Sequence, residues 1–220
     1  MRTRIIHSLA LAAFAVLFGA PLQTADAADA AGTPEKPAET VPAALGEKAP
    51  DFTLTDTDGK THKLSEHTAQ GKMVVLEWFN PECPFVKKHH QLTHSMNDTY
   101  AFAKGAGVVW LAINSGAAGK QGAGLEKNVA ARKDYGMEYP VLLDESGAVG
   151  KLYGAKTTPH MFVIDEKGTL IYRGGIDDDA SPKTLGKTNY VRTCLEAHSA
   201  KKPVTANDTK PYGCSVKYAS

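Results

Sequence analysis

The chain has 220 residues, 42% of them hydrophobic and 22% charged, with a formal net charge of +1. That length suits a single domain with a closed core. The charge balance argues against a nucleic-acid backbone or an anionic membrane surface as the main partner.

The chain opens with Arg2 and Arg4, followed by an apolar core from Leu9 to Phe18 that is too short for a stable membrane span. Ala25-Asp26-Ala27 is a small-x-small cleavage site, with Ala28-Asp29-Ala30 as a second. The expectation is a signal peptide over 1–27, with no lipid-attachment cysteine and no membrane span after cleavage. The mature protein is then periplasmic or secreted, where disulfides persist. Residues 28–44, rich in Ala, Pro, Thr and Glu without apolar period, read as a disordered linker. Residues 45–200 read as the folded domain and 201–220 as an irregular tail.

Ala49 to Leu54 alternates towards a strand, Asp58-Gly59-Lys60 turns, and Thr61 to Leu64 returns as its hairpin partner. Met73 to Phe79 is a buried strand, stopped by Asn80-Pro81. Cys83-Pro84 opens a helix over 84–104 that Gly105 ends. Val108 to Asn114 is a second buried strand, 115–124 a loop, and Leu125 to Tyr135 a helix. A short strand at 141–143 and a short helix at 146–153 follow. Met161 to Asp165 and Leu170 to Arg173 make a hairpin, and 184–199 a last helix. Strands alternating with helices before a closing hairpin predict an α/β sandwich with a mixed sheet.

Cys83, at the start of a helix, faces unpaired amide donors that favour thiolate over thiol, the form that attacks disulfides and peroxides. Lys87, one turn on, adds a cation, whereas Glu82 is expected to face solvent. Thr158-Pro159 precedes a strand, where a proline marks an edge, bulge or cis bond. In an α/β redox fold that position lies beside the thiol, and its backbone can hold an extended substrate segment. The chain has three cysteines, Cys83, Cys194 and Cys214, so at least one thiol is unpaired at any time. His90 and His94, four apart on the expected helix, share a face that can chelate a metal. His160 follows the proline and is expected to approach Cys83.

Taken together, Ala49-Pro50-Asp51-Phe52, the strand into Cys83-Pro84, and Thr158-Pro159-His160 resemble the thioredoxin-like redoxins over residues 45–218. This group includes AhpC/TSA peroxiredoxin-like and periplasmic TlpA-type proteins. The ending Lys210-Pro211-Tyr212-Gly213-Cys214-Ser215-Val216-Lys217-Tyr218 is similar to the tail of a peroxiredoxin-like subgroup with a Cys-Pro-x-Val motif. The resemblance implies a thioredoxin-like fold and a thiol oxidoreductase that needs no cofactor. Its partners would be a disulfide or peroxide substrate and an external thiol donor of thioredoxin type.

Three departures keep the chemistry open. Val86 stands where a Cys-x-x-Cys site has its second thiol. Asn80 stands where a typical peroxiredoxin has threonine, and its amide can hydrogen-bond a peroxide oxygen. The Cys-x-x-x-Cys pair of Sco-type copper chaperones is missing, which leaves a non-enzymatic copper site to His90, His94 and His160. For peroxide chemistry Arg173 is the candidate guanidinium. Cys214 is the candidate resolving thiol, either pairing with Cys83 or held by Cys194 as a static clip.

Overall fold

The computed structural model describes residues 42–219. The expected signal peptide and most of the expected linker lie outside that range. Among the described residues, nine strands fold with six α-helices. The main sheet has seven strands in the order β2-β1-β5-β4-β3-β7-β8. These are β1 Thr53–Asp56, β2 Thr61–Lys63, β3 Val74–Trp78, β4 Val109–Asn114, β5 Val141–Leu143, β7 Met161–Ile164 and β8 Leu170–Gly174. Strand β3 runs parallel to β4 and antiparallel to β7. Sandwiched between them, every residue of β3 is buried, which is why the stretch reads as continuously apolar rather than alternating.

Because side chains alternate across a strand, β3 feeds two cores. Val74, Leu76 and Trp78 pack on one face with Leu64 of α1 (Leu64–Ala69) and Val149 of α5 (Ala148–Leu152). Val75 and Phe79 pack on the other. There they meet Met96 of α3 (Ser95–Gly105), Ala131 of α4 (Leu125–Asp134), and Val191 and Leu195 of α6 (Tyr190–Ser199). Cys83 sits on this second face, at the start of α2 (Pro84–Lys87). A two-stranded sheet pairs β6 (Thr157–Thr158) with β9 (Cys214–Ser215).

The expected α/β architecture stands, with five local differences. Residues 64–69 turn into α1, because Asp51 accepts hydrogen bonds from the Ser65 amide and hydroxyl at 2.9 and 2.8 Å and so satisfies a helix-start donor. The helix expected over 84–104 is broken. After α2 the chain makes a π-helical turn over Lys88–Leu92, and His94 adopts a left-handed φ of 53° before α3 begins. The last helix starts at Tyr190, capped by the Asn189 side chain. Its expected first residues form a loop pinned by Asp177, Asp178 and Asp179 to Gly186, Thr188 and Thr184. Ala43, placed in the linker by the sequence reading, is buried and donates its amide to Leu152 at 3.0 Å. The tail is docked rather than irregular, as its β9 strand shows.

Candidate active site

Asn80 ends the β3 segment by folding its side chain back on the turn. Its carbonyl oxygen accepts from the Glu82 amide at 2.9 Å, and its amide donates to the Gln121 carbonyl at 3.1 Å. The Cys83 amide in turn donates to the Asn80 carbonyl at 3.1 Å. Asn80 is thus a buried turn former whose side-chain oxygen and nitrogen both brace the turn. Glu82 points away from the sulfur to Lys127 at 2.7 Å, and Lys87 is exposed.

The Cys83 sulfur donates to the Thr158 carbonyl oxygen at 2.9 Å. The Thr158-Pro159 bond is cis. Two elements distant in sequence therefore meet as expected. The expected accessibility does not hold, because Cys83 is 0% exposed. Part of what covers it is the chain's own tail. In the β6–β9 pairing Cys214 lies opposite Thr158. Burial first, and then the neighbouring Cys83 thiol, push the Cys214 thiol up to about 11. Gly213 makes this approach feasible. It has a φ of +133°, and a Cβ there would lie 2.1 Å from the Thr158 carbonyl oxygen. Only glycine brings the tail this close without strain.

Cys194 is a different kind of cysteine. It is buried in α6 among apolar neighbours, and burial pushes its thiol up to about 12. All three thiols are free, and Cys214 lies on β9 opposite Thr158, the residue whose carbonyl holds Cys83. Arg173 is also engaged elsewhere. Its guanidinium holds Asp208 with contacts of 2.8 and 3.2 Å, and it lines a surface cavity with His160 rather than with Cys83. His160 is buried and held near about 3, first by desolvation and then by Arg173 and Lys156. Its carbonyl accepts from the Trp78 amide at 2.9 Å, which ties the cis-proline segment to β3.

The proposed histidine chelate does not form. His94 is exposed where the helix is interrupted. His90 turns inward, with Nε2 at 2.8 Å from Glu77 and Nδ1 at 3.1 Å from Asn97. Glu77 also accepts from Trp110 and Tyr139 at 3.1 and 2.9 Å. This buried carboxylate network lies under the Cys83 turn and was missed from sequence. Its signal was present: a lone acid in an otherwise apolar strand must have internal partners.

A second missed network joins the π-helical turn to the tail. Lys88 and His89 are both 0% exposed. Lys88 donates to the Asp179 carbonyl at 2.6 Å and lies 3.7 Å from the Asp177 carboxylate. Tyr212 donates to that carboxylate and meets His89 Nε2 at 2.9 Å. His89 is completed by Ser95 at 2.7 Å, and desolvation lowers it to about 4. One further polar atom is notable: the hydroxyl of Thr158, whose carbonyl holds Cys83, is buried without a partner.

Residues 44–188 match the family model described as Redoxin. That segment holds Cys83, Thr158 and Pro159, and it ends before the tail. The chain is 34% identical over 130 residues to a protein named thiol-disulfide oxidoreductase ResA of Geobacillus kaustophilus, covering 58% of this chain and 67% of the relative. Among solved structures, it resembles a hypothetical protein from Sinorhizobium meliloti with a TM-score of 0.70 and 31% identity, covering 80% of this chain and 96% of the other. It also resembles a putative thiol:disulfide interchange protein DsbE from Chlorobium tepidum, with a TM-score of 0.53 and 25% identity over 72% and 97% of the two chains.

Proposed function

The chain belongs to the Redoxin family, and on that premise we propose that it is a thiol–disulfide oxidoreductase whose working couple is Cys83 and Cys214. The observation that carries this reading is that Thr158 meets both cysteines: its carbonyl accepts from the Cys83 thiol, and its backbone lies opposite Cys214 in the β6–β9 pairing. The missing second cysteine of a Cys-x-x-Cys site is then supplied by the tail, opposite the cis-proline segment instead of one turn along α2.

The cycle follows ordinary thiol exchange. The Cys83 thiolate attacks one sulfur of a substrate disulfide. A mixed disulfide forms, and the other substrate sulfur leaves as a thiolate. Cys214, once deprotonated, attacks the Cys83 sulfur, releases the substrate as a dithiol, and leaves a Cys83–Cys214 disulfide. An external dithiol donor reduces it and is itself oxidised. The Thr158 carbonyl accepts from the thiol form of Cys83 and fixes the sulfur's direction, and the Cys214 thiol waits within reach. Thr158-Pro159 offers its strand edge to the segment that carries the sulfur under attack, and the tail takes that place at rest.

A peroxide as oxidant changes only the first step. Peroxide would convert Cys83 to a sulfenic acid, which Cys214 would resolve to the same disulfide with loss of water. The disulfide reading is favoured because the Arg173 guanidinium is engaged by Asp208 and a relative at 34% identity is named a thiol-disulfide oxidoreductase. The domain is assigned to residues 45–200 with the tail 201–220 as part of the site. Export is assigned from the leader-like pattern of residues 1–27, and N-terminal sequencing of the mature protein tests it.

The direct test is trapping. Cys214→Ser, mixed with an oxidised polypeptide, should accumulate a mixed disulfide at Cys83, while Cys83→Ser should accumulate none. Equal trapping by Cys83→Ser would reject Cys83 as the nucleophile.

A further inference from the structure

Three ionisable side chains that would ordinarily seek water gather around Tyr212, two at its hydroxyl and one over its ring. Lys88, His89 and Asp177 are 0%, 0% and 2% exposed. Groups so deeply buried need partners. Asp177 accepts from Tyr212 and from the Asp179 and Gly186 amides at 3.1 and 2.8 Å. Lys88 lies over the Tyr212 ring, 5.1 Å from its centroid. Phe85, two residues after Cys83, meets the same ring at 6.1 Å. Tyr212 itself comes from the tail, two residues before Cys214. The socket is built by the segment that follows Cys83 and by the loop after β8. It therefore joins the nucleophile's own helix to the strand that covers it.

We propose that Tyr212 is the positioning residue of the sulfur pair: its hydroxyl, seated in the Asp177–His89 socket, clamps the tail across Cys83, and its release uncovers that sulfur for a partner polypeptide. The proposal deepens the reading above and rests on Cys83 and Cys214 forming the couple. Gly213 explains why the clamp must act nearby. The tail passes too close to Thr158 for any side chain to hold it at that point. Further anchors hold the tail at Asp208, Val216, Lys217 and Tyr218, and next to Gly213 it is Tyr212 that reaches a buried socket while Cys214 must stay free to react. The clamped tail occupies the edge of β6 that an incoming extended segment would pair with, so substrate entry and tail release are one exchange. The clamp also preorganises Cys214 for attack, which raises its effective concentration at Cys83.

The test compares Cys214→Ser with Cys214→Ser/Tyr212→Phe, both fully reduced, and follows alkylation by N-ethylmaleimide with peptide-level mass spectrometry. Loss of the hydroxyl should speed labelling of Cys83 about tenfold, while Cys194 stays unlabelled. With Cys214 restored, Tyr212→Phe should weaken the Cys83–Cys214 disulfide about tenfold against glutathione, which corresponds to about 30 mV. An unchanged Cys83 labelling rate overturns the clamp. So does labelling of Cys194 in step with Cys83, because that marks general loosening of the domain. Failure of the underlying couple shows separately, as the lack of any Cys83–Cys214 disulfide in the parent protein, and the alkylation comparison judges the clamp in that case too.

Discussion

Gly213→Ala tests how closely the tail must approach the cis-proline segment. A Cβ at this position would lie 2.1 Å from the Thr158 carbonyl oxygen and 2.8 Å from its carbon. Both atoms are backbone, so neither can swing aside, and the tail would have to retreat by about 1 Å to reach ordinary contact distance. The φ of +133° adds strain, of about 1 kcal/mol for a residue with a side chain. Retreat also weakens the β6–β9 pairing, at about 1 kcal/mol for each hydrogen bond lost. The sum is about 2–3 kcal/mol, and it acts on tail docking rather than on the whole fold. At 1.4 kcal/mol per factor of ten, the effective concentration of Cys214 at Cys83 should fall by about 30- to 100-fold. The assay is equilibration of the purified protein with glutathione redox buffers, with the Cys83–Cys214 fraction read by mass spectrometry. The main thermal transition should move little, because the seven-stranded core does not depend on residue 213. A disulfide equilibrium within twofold of the parent would refute the close-approach reasoning.

Other predictions concern the buried polar networks. Glu77→Ala should cost about 3–5 kcal/mol in denaturant unfolding, since it strands His90, Trp110 and Tyr139 at once; a loss under 1 kcal/mol would contradict that network. Both His89 and His160 stay neutral in the fold, lowered to about 4 and about 3, chiefly by desolvation. The unfolded chain then binds more protons than the native one below the ordinary histidine value of about 6.5. Stability should accordingly fall as pH drops from about 6.5 towards 3–4 and should not gain from histidine protonation. Urea titrations across that range check the sign, and a flat profile in a His89→Gln/His160→Gln comparison with the parent would remove these residues as the cause. Arg173→Ala breaks a partly exposed pair with Asp208, so it should change stability by less than about 1 kcal/mol and leave the rate of Cys83 reaction with a small disulfide within twofold. A large fall in that rate would restore Arg173 to the site.

What could be read from sequence follows from where each determinant lies. The buried run of β3, the Asn80-Pro81 stop and the Cys83-Pro84 helix start are local, carried by apolar character and proline geometry. Thr158-Pro159 was legible for the same reason. The tail was not, because its docking rests on contacts with residues far away in the chain, among them Gly213 against Thr158 and Tyr212 against Asp177, that no periodicity connects. The run Lys87-Lys88-His89-His90 reads as a polar helix face, yet three of its four residues are buried. Their partners, Glu77, Asp177 and Tyr212, come from β3, the loop after β8 and the tail, so the burial of these polar groups is a tertiary fact. The same holds for Arg173. Its strand was anticipated, but Asp208, which captures its guanidinium, belongs to a tail read as irregular. In α1 the helix-start donor is satisfied by Asp51, an acid on the preceding strand-forming segment, so the usual local capping signal is missing.

The account stands or falls on which sulfurs bond. Reduced protein should be oxidised briefly with a small disulfide, blocked with an alkylating reagent, and digested without reductant for mass spectrometry. A Cys83–Cys214 cross-linked peptide, with Cys194 recovered as a free thiol, is the predicted result. A Cys194–Cys214 link, or a Cys83 that stays reduced while the other two react, would contradict it.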